Sequence, residues 1–173
     1  LVLASVVPNC RVYDPAFAYE LAIVIRDGLD RMYGEAQEDC FYYLTLYNEN
    51  DPQPPMPPDV APGIIEGLYR WAEAPDLADA PRATIVFSGS AQGAARRARD
   101  ELAERWGVAA ELWSATSYKR LREQAMEVER WNRLHPGQPP RSARVTDLLA
   151  GSQGPVVAVT DFMRAVPDQV ARW

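Results

Sequence analysis

Few residues of this chain belong to types that commonly carry out catalysis or bind metals. It has a single histidine, His135, and two cysteines, Cys10 and Cys40. Structural zinc sites usually take four His or Cys ligands, so these three residues do not supply the usual set. A Ser-His-Asp triad would depend on His135 alone, which precedes Pro136 in a stretch typical of a loop. We therefore expect no zinc site, no nucleophilic triad and two free thiols, as in a cytosolic protein.

Two carboxylates near one predicted helix start could suggest acid–base chemistry. Asp14 and Glu20 are separated by about 240° around a helix, so their side chains should point apart. Asp14 followed by Pro15 is typical of a helix N-terminus, where the carboxylate accepts hydrogen bonds from free N–H groups. Glu20 would complement the positive end of the helix dipole. Both residues are thus expected to have structural roles.

A glycine-rich turn at residues 88–93 joins a predicted strand to a predicted helix. Such a turn can hold an anion through free N–H groups. It lacks the Gly-Lys-Ser/Thr ending of a phosphate loop and the full dinucleotide-binding pattern. We interpret it as a tight turn of small residues, and small-molecule binding at this turn is an alternative.

Asn48, Glu49 and Asn50 directly follow an apolar strand. Polar groups at the carboxyl end of a strand in an α/β sheet often line a ligand crevice. The same residue types also favour turns for conformational reasons. The residues themselves leave both interpretations open.

The elements that would position these residues form two blocks. A helix is predicted from Asp14 to Gly34, with apolar residues at helical spacing from Phe17 to Met32. A strand over 40–47 follows, and its lack of polar residues predicts burial on both faces. A proline-rich linker then runs to about residue 82, with a short ordered piece expected over 67–71. A second block from residue 83 alternates strands over 83–88, 109–113 and 156–160 with helices over 94–106, 118–132 and 163–173. This alternation predicts an α/β domain with a mainly parallel sheet.

Composition narrows the classes of function. The chain has 173 residues, 47% hydrophobic, and a formal net charge of −6 with acidic and basic residues mixed. Nucleic-acid binding is disfavoured because it needs concentrated positive charge, and no apolar run is long enough to span a membrane. The apolar start from Leu1 is too short for a signal peptide. Without an initiator Met or a stop signal after the last helix, we expect a fragment.

Several strings in a fixed order resemble one known family, the homodimeric pyruvate dehydrogenase decarboxylases, which are relatives of transketolase. They cover nearly the whole chain and include Val7-Pro8-Asn9-Cys10, Tyr13-Asp14-Pro15-Ala16-Phe17-Ala18-Tyr19-Glu20, Asp27-Gly28-Leu29-Asp30-Arg31-Met32-Tyr33-Gly34-Glu35, Phe41-Tyr42-Tyr43-Leu44-Thr45, Asn48-Glu49-Asn50, Gly89-Ser90, Glu129-Arg130-Trp131-Asn132, Leu134-His135-Pro136 and Thr160-Asp161-Phe162-Met163. The ordered set is specific, although each string alone is weak.

The resemblance implies a fold and a domain organisation. Residues 1–50 would be the C-terminal part of a pyrimidine-binding domain, 51–82 a proline-rich linker, and 83–173 a transketolase-like C-terminal domain with three α/β/α layers. The family's cofactors are thiamine diphosphate and magnesium, and the motif that binds them is Gly-Asp-Gly followed by an Asn. Asp27-Gly28 lacks the first Gly and lies within a helix pattern. No catalytic, cofactor-binding or metal residue is therefore assigned to this chain, and the cofactors would be bound mainly by residues outside it.

The resemblance also bears on the substrate. Sugar transketolases have an Arg directly before the proline that corresponds to Pro15, and an Asp two residues after it. In this chain those two positions are Asp14 and Phe17. Decarboxylation of a pyruvate-like 2-oxo acid is thus favoured over ketol transfer. After Asn48-Glu49-Asn50 the family usually has Tyr-His, whereas this chain has Asp51-Pro52. The candidates for the mouth of the active site are Asp14, Phe17, Asn48, Glu49 and Asn50.

The expected role is part, or a split subunit, of a cytoplasmic, oligomeric 2-oxo acid decarboxylase. The expected partners are a second copy or a subunit that carries the cofactor domains, and a lipoyl-bearing acyltransferase. A non-catalytic scaffold that completes a transketolase-like partner is the alternative. Neither nucleic acid nor a membrane is expected as a partner.

Overall fold

A computed structural model describes residues 1–173 as two sheets with helices around them. In chain order the elements are β1 (Cys10–Tyr13), α1 (Ala18–Tyr33), β2 (Phe41–Leu44), α2 (Ala61–Glu66), β3 (Tyr69–Ala72), β4 (Arg82–Phe87), α3 (Gln92–Trp106), β5 (Ala109–Ser114), α4 (Tyr118–Leu134), α5 (Arg144–Leu149) and β6 (Val156–Val159). Short 3₁₀ turns lie at Leu3–Val6, Gly89–Ala91 and Pro167–Gln169. None of the helices is both long and apolar enough to cross a membrane.

The larger sheet has the order β3-β5-β4-β6, and β4 runs parallel to both β5 and β6. Alternate residues of β4 point to opposite faces, as in any strand. Ile85 and Phe87 pack with Ala95 of α3 on one face. Val86 packs with Leu121 of α4 and with Val145 of α5 on the other. The predicted three-layer α/β/α arrangement and mainly parallel sheet are confirmed.

The smaller sheet contains only β1 and β2, which are parallel and joined through α1. The prediction that β2 is buried on both faces was wrong. The side chains of Phe41 and Tyr43 are 47% and 46% exposed, so one face of this strand is open. An apolar run cannot distinguish a strand covered on two sides from one covered on a single side.

Helix α1 ends before Gly34 as predicted, but it begins four residues later than Asp14. Residues 14–17 instead form an extended turn that leads from β1 into the helix. The buried residues of α1 are Glu20, Val24 and Gly28, while Ile25 and Leu29 from the predicted apolar face are 44% and 52% exposed.

The segment expected to be a linker, residues 51–82, contains regular structure. Its proline-rich part has none up to residue 60, but α2 follows, and β3 pairs antiparallel with β5 at the edge of the larger sheet. The predicted C-terminal helix over 163–173 was wrong, because this stretch forms only the 3₁₀ turn at Pro167–Gln169. Pro167 lacks an N–H group and so cannot extend a helix that starts at Met163.

Candidate functional site

The carboxyl ends of strands from both sheets meet at Asp14. Asp14 directly follows β1, and its backbone N–H donates to the carbonyl of Thr116, just after β5, at 2.8 Å. Its own carbonyl accepts from the N–H of Gly89, just after β4, at 3.2 Å. Ligand crevices in α/β proteins form where such strand ends converge. This junction, where backbone hydrogen bonds join strand ends of both sheets, is therefore the candidate site.

The side chain of Asp14 is buried at this junction, with 3% of the residue exposed. Its Oδ1 atom accepts hydrogen bonds from Thr45 Oγ1 at 2.5 Å and from the hydroxyl of Tyr47 at 2.6 Å. Burial, together with the bond to Asp14, raises the pKa of Tyr47 above its ordinary value. The prediction that Asp14 caps the helix was wrong. Its carboxylate instead fixes the chain segment that follows β2.

The close approach at Asp14 depends on glycine at position 89. Gly89 has φ +51°, a left-handed conformation that few side chains tolerate. A Cβ atom there would lie 2.5 Å from Asp14 Oδ1 and 2.5 Å from the Tyr47 hydroxyl. The turn was predicted to need small residues. At position 89 the close approach of the Asp14 carboxylate requires glycine itself.

Several polar groups of the same turn that could hold an anion are already paired. The N–H of Gly89 donates to the carbonyl of Asp14. The hydroxyl of Ser88 donates to Thr160 Oγ1 at 3.0 Å, and the hydroxyl of Ser90 donates to the carboxylate of Asp161. These bonds join the ends of β4 and β6. The interpretation as a tight structural turn fits this arrangement better than the small-molecule alternative.

A shallow cleft of about 170 Å³ lies beside the junction, between the 15–18 turn and the 46–53 loop. Glu49 and Asp51 line it from the loop, and Ser90 lines it from the 3₁₀ turn that follows β4. Of the five predicted mouth residues, Glu49 and Phe17 line the cleft. Asn48 and Asn50 are exposed on the same loop without lining the cleft, and Asp14 lies beneath it.

Phe17 lies in an aromatic cluster that joins the two sheets, formed by Phe17, Tyr19, Trp71 and Phe87. The ring centroid of Phe17 is 5.3 Å from that of Tyr19, 5.6 Å from Trp71 and 6.1 Å from Phe87. The indole N–H of Trp71 donates to the Tyr19 hydroxyl at 3.1 Å. Since Phe17 is only 3% exposed, its ring packs into the core and forms the floor of the cleft.

Glu20 is a fully buried carboxylate that sequence reasoning did not single out as part of the core. Its Oε2 accepts from the N–H groups of Ala16 and Phe17 at 2.5 and 3.2 Å. Its Oε1 accepts from the Tyr69 hydroxyl at 2.6 Å and from Ser114 Oγ at 2.7 Å. Burial raises the pKa of Glu20, and these four bonds oppose that rise. A glutamate in the first turn that reaches back to the preceding N–H groups was the available signal.

The remaining candidate ligands are separated or already paired. No three His, Cys, Asp or Glu side chains lie close enough together to hold a metal ion. Cys10 and Cys40 are free thiols, and His135 stacks on Trp131 with centroids 4.4 Å apart. Asp27 is paired with Arg31 at 3.0 Å and accepts from the Tyr42 hydroxyl.

The chemistry of these residues does not fit a magnesium-bound diphosphate. At the strand-end junction, Asp14 Oδ1 already accepts hydrogen bonds from two hydroxyl groups, and the N–H of Gly89 already donates to a carbonyl. A larger cavity of about 670 Å³ lies away from the cleft, between α5, β6 and the last residues of the chain. Twelve of its 16 lining residues are hydrophobic, so it lacks the converging polar groups that hold a phosphate.

Comparison with known proteins matches the chain in two consecutive parts. The model of the pyruvate dehydrogenase E1 component middle domain matches residues 1–54, and that of the transketolase-like C-terminal domain matches residues 67–172. The pyruvate dehydrogenase E1 component of Mycolicibacterium smegmatis is 46% identical over 174 residues, covering 100% of this chain and 19% of that protein. The one from Pseudomonas aeruginosa is 44% identical over 172 residues, with coverages of 99% and 19%.

The Escherichia coli K12 protein of the same name is 39% identical over 164 residues, which is 95% of this chain and 18% of that protein. The chain thus spans about a fifth of the length of these relatives. Among solved structures, a transketolase variant from Pichia stipitis superposes with a TM-score of 0.57 at 18% identity, over 91% of this chain and 19% of that one. At this identity the likeness concerns the fold.

Proposed function

The chain belongs to the family of pyruvate dehydrogenase E1 components, and on this basis we propose that it is part, or a split subunit, of a thiamine diphosphate-dependent decarboxylase of pyruvate or a similar 2-oxo acid. The observation that carries the proposal is identity of 44% and 46% to two such proteins along essentially the whole chain. A family model on each side of the proline-rich segment supports the same assignment.

Each part of the chain then has a place in the larger enzyme. We propose that residues 1–50 close a pyrimidine-binding domain, that 51–82 connect it to the next domain, and that 83–173 form the transketolase-like C-terminal domain. The hydrogen bonds of Asp14 and Glu20 support a firm attachment between the first and last of these parts. The backbone of Asp14 bonds to Thr116 and Gly89, and the carboxylate of Glu20 accepts from Ser114.

The geometry at positions 14 and 17 supports a 2-oxo acid over a phosphosugar as substrate. The Asp14 carboxylate is buried and bonded to two hydroxyl groups, and a negative group at this position repels phosphate. Phe17 is packed in the aromatic cluster. Neither side chain can replace a cationic or polar group that would hold a sugar phosphate.

Thiamine diphosphate and magnesium would be bound mainly by residues outside this chain, where they would supply the electron sink for decarboxylation. The role of the present residues is to position the loop that carries Asn48, Glu49 and Asn50. The bond from Tyr47 to Asp14 holds one end of this loop, and Gln53 accepts from the N–H of Ala18 at 2.9 Å near the other. We propose that the three residues form the mouth of the active site.

The proposed setting is a cytoplasmic oligomer. A second copy or a subunit with the cofactor domains would complete the active site, and a lipoyl-bearing acyltransferase would receive the acyl group. The positions after Asn50 bear on the substrate, because Asp51 and Pro52 replace the usual Tyr-His of the family. A 2-oxo acid other than pyruvate is therefore included in the proposal.

Release of carbon dioxide from pyruvate and from larger 2-oxo acids tests the proposal directly. With thiamine diphosphate and magnesium, we expect release by the protein as encoded, together with any subunit that co-purifies with it. We expect none from residues 1–173 alone, since they lack a site for the cofactor. Release by residues 1–173 alone would contradict this account. No release from the complete assembly with any 2-oxo acid would favour the scaffold function.

The mouth assignment has its own test in the active assembly. We expect Asn50→Ala to raise KM about fivefold if its amide makes one substrate contact, which corresponds to a hydrogen bond of about 1 kcal/mol. Gln138→Ala is the matched control, because it removes an exposed amide from a different loop. Equal kinetics for both variants would contradict the assignment of Asn50.

A further inference from the structure

A further, much smaller cavity of about 10 Å³ is lined by Asp14 together with residues from the start of α4 and from both ends of the chain. Three buried polar atoms of its lining residues have no hydrogen-bond partner: Asp14 Oδ2, the Tyr118 hydroxyl and Gln169 Oε1. They come from the β1 junction, the start of α4 and the 3₁₀ turn near the end of the chain. An unpaired buried polar atom costs about 1–3 kcal/mol, so three around one cavity require an explanation.

The other polar side chains around this cavity are already paired. Thr116 Oγ1 donates to the carbonyl of Ile64 at 2.6 Å, and Ser117 Oγ donates to that of Val12 at 2.6 Å. Ser5 Oγ donates to the carbonyl of Val2 at 2.6 Å. None of these hydroxyl protons is available to the three unpaired atoms.

Lys119 also lines the cavity but does not neutralise Asp14. Its ammonium group donates to the carbonyls of Val7, at 2.8 Å, and Cys10, and it pairs with Glu123 Oε1 at 2.9 Å. These contacts use all three of its protons. The carboxylate of Asp14 therefore has no cationic partner within the chain.

The orientation of Gln169 is fixed by a separate contact. Its Nε2 donates to the carbonyl of Val166 at 3.1 Å, so Oε1 is the unpaired atom of this amide. The unpaired atoms are thus two acceptors, on Asp14 and Gln169, and one hydroxyl, on Tyr118. Burial and the nearby Asp14 charge raise the pKa of Tyr118, so the phenol is a protonated donor at neutral pH.

We propose that this cavity is a binding site for one buried water molecule that bridges Asp14 Oδ2, the Tyr118 hydroxyl and Gln169 Oε1. A water molecule donates two hydrogen bonds, to Asp14 and Gln169, and accepts one from Tyr118, so all three atoms are satisfied. The volume matches the roughly 10–15 Å³ that one water molecule needs. Calcium and magnesium take about six or more oxygen ligands, which three atoms do not supply.

The bridging water adds a polar link between three parts of the chain that are already packed through α4, which contacts both β1 and the 3₁₀ turn. Through Asp14 it reaches the residue that holds Tyr47 beside the cleft. Through Gln169 it reaches the 3₁₀ turn at Pro167–Gln169, and through Tyr118 the first turn of α4. The water therefore stabilises the C-terminal segment against the strand-end junction.

A crystal structure of the protein as encoded, at a resolution that defines water, tests the site. We expect an isolated density peak about 2.8 Å from all three oxygen atoms, the usual length for such hydrogen bonds. A second crystal grown in rubidium chloride identifies a monovalent cation by its anomalous signal. An empty cavity, or an anomalous rubidium peak inside it, would overturn the proposal.

A double-mutant cycle measures the bridge in solution. Tyr118→Phe and Gln169→Met should each lower the Tm by about 2–4 °C, as expected for the loss of about 1 kcal/mol. The double variant should lose less than the sum, because either change removes the shared water. The matched cycle pairs Tyr13→Phe with Gln169→Met and should be additive, since Tyr13 donates directly to the carbonyl of Ile65. Additive effects of Tyr118→Phe and Gln169→Met would refute the bridge.

Discussion

The two sheets of this chain are stabilised in different ways. In the larger sheet, the five residues of β4 from Ala83 to Phe87 are buried, because helices cover both faces. In the smaller sheet, β2 exposes about half of Phe41 and of Tyr43. Two strands alone are at best marginally stable in water. The smaller sheet must therefore gain stability from contacts outside itself.

Beside the packing of Phe17 on Trp71, those contacts include polar bonds from the start of α4 to the backbone around β1. Ser117 donates to the carbonyl of Val12, and Lys119 donates to those of Val7 and Cys10. Both donors lie at the start of α4, next to the end of β5. We call residues 1–50, which contain the smaller sheet, the first region, and residues 69–173, which contain the larger sheet, the second region. The difference between the sheets shows that the first region depends on hydrogen bonds made by the second, whereas the larger sheet has an apolar core on each face.

Lys119→Met should cause the largest loss of stability, because it leaves the carbonyls of Val7 and Cys10 without their donor and removes one of the two cations that pair with Glu123. Breaking a buried, bonded charge in this way costs about 3–5 kcal/mol. The free energy of unfolding, measured with a chemical denaturant, gives this value. Arg130→Met, at an exposed site of the same helix, is the control and should change it little. Equal losses in the free energy of unfolding for both variants would mean that the smaller sheet does not depend on the hydrogen bonds of Lys119.

The junction between the two regions is tested by a pair of glycines. Gly89→Ala should cost about 2–4 kcal/mol, since it combines left-handed strain with a Cβ atom that overlaps Asp14 and Tyr47. Gly107→Ala has a similar strain at φ +62° but meets nothing within 4 Å, so it should cost about 1 kcal/mol. Thermal unfolding of both variants sharpens the comparison. A Gly89→Ala protein as stable as Gly107→Ala would mean that the strand ends do not pack closely.

Glu20 gives the region between the sheets a pH dependence. Because burial raises its pKa above 4.5 in the folded state, the folded chain binds this proton more tightly than the unfolded chain. The free energy of unfolding should therefore fall as pH rises from 4.5 through the raised pKa, by at most about 1.4 kcal/mol per pH unit. Denaturation of wild type and Glu20→Gln at several pH values isolates this slope. A difference between the two proteins that grows in the opposite direction would exclude it.

The smallest effect is expected on the open face of β2. Phe41→Ser should change the free energy of unfolding by no more than about 0.5 kcal/mol, as at other exposed positions. Leu112→Ala in β5 is the buried counterpart and should cost about 2–5 kcal/mol. If Phe41→Ser lowers the free energy of unfolding of the protein as encoded as much as Leu112→Ala does, polypeptide outside residues 1–173 covers this face.

The sequence predicts the fold best where each residue has one dominant environment. Strand β4 and helix α4 follow from an uninterrupted apolar run and from a helical period. Strand β3 overlaps the short ordered piece expected over 67–71, but it was not predicted as a strand, because its four residues include the exposed Arg70 and it pairs only at a sheet edge. The last helix was overpredicted because local propensity did not include the effect of Pro167.

The candidate site was predictable only in part, for reasons of distance along the chain. The position of the 48–50 loop follows from its place after β2. The role of Asp14 does not, because its partners Thr45 and Tyr47 lie 31 and 33 residues away. Glu20 likewise bonds to Ser114, 94 residues further on. A local helix-cap pattern cannot contain such long-range partners.

The cluster of Phe17, Tyr19, Trp71 and Phe87 also makes the attachment of the two regions optically observable. Coupled aromatic rings about 5–6 Å apart in a fixed, asymmetric packing rotate near-ultraviolet light in a characteristic way. Because Phe17 and Tyr19 come from one region and Trp71 and Phe87 from the other, separating the regions would abolish that dichroism while each retained its backbone structure. A single spectrum can thus report detachment before global unfolding.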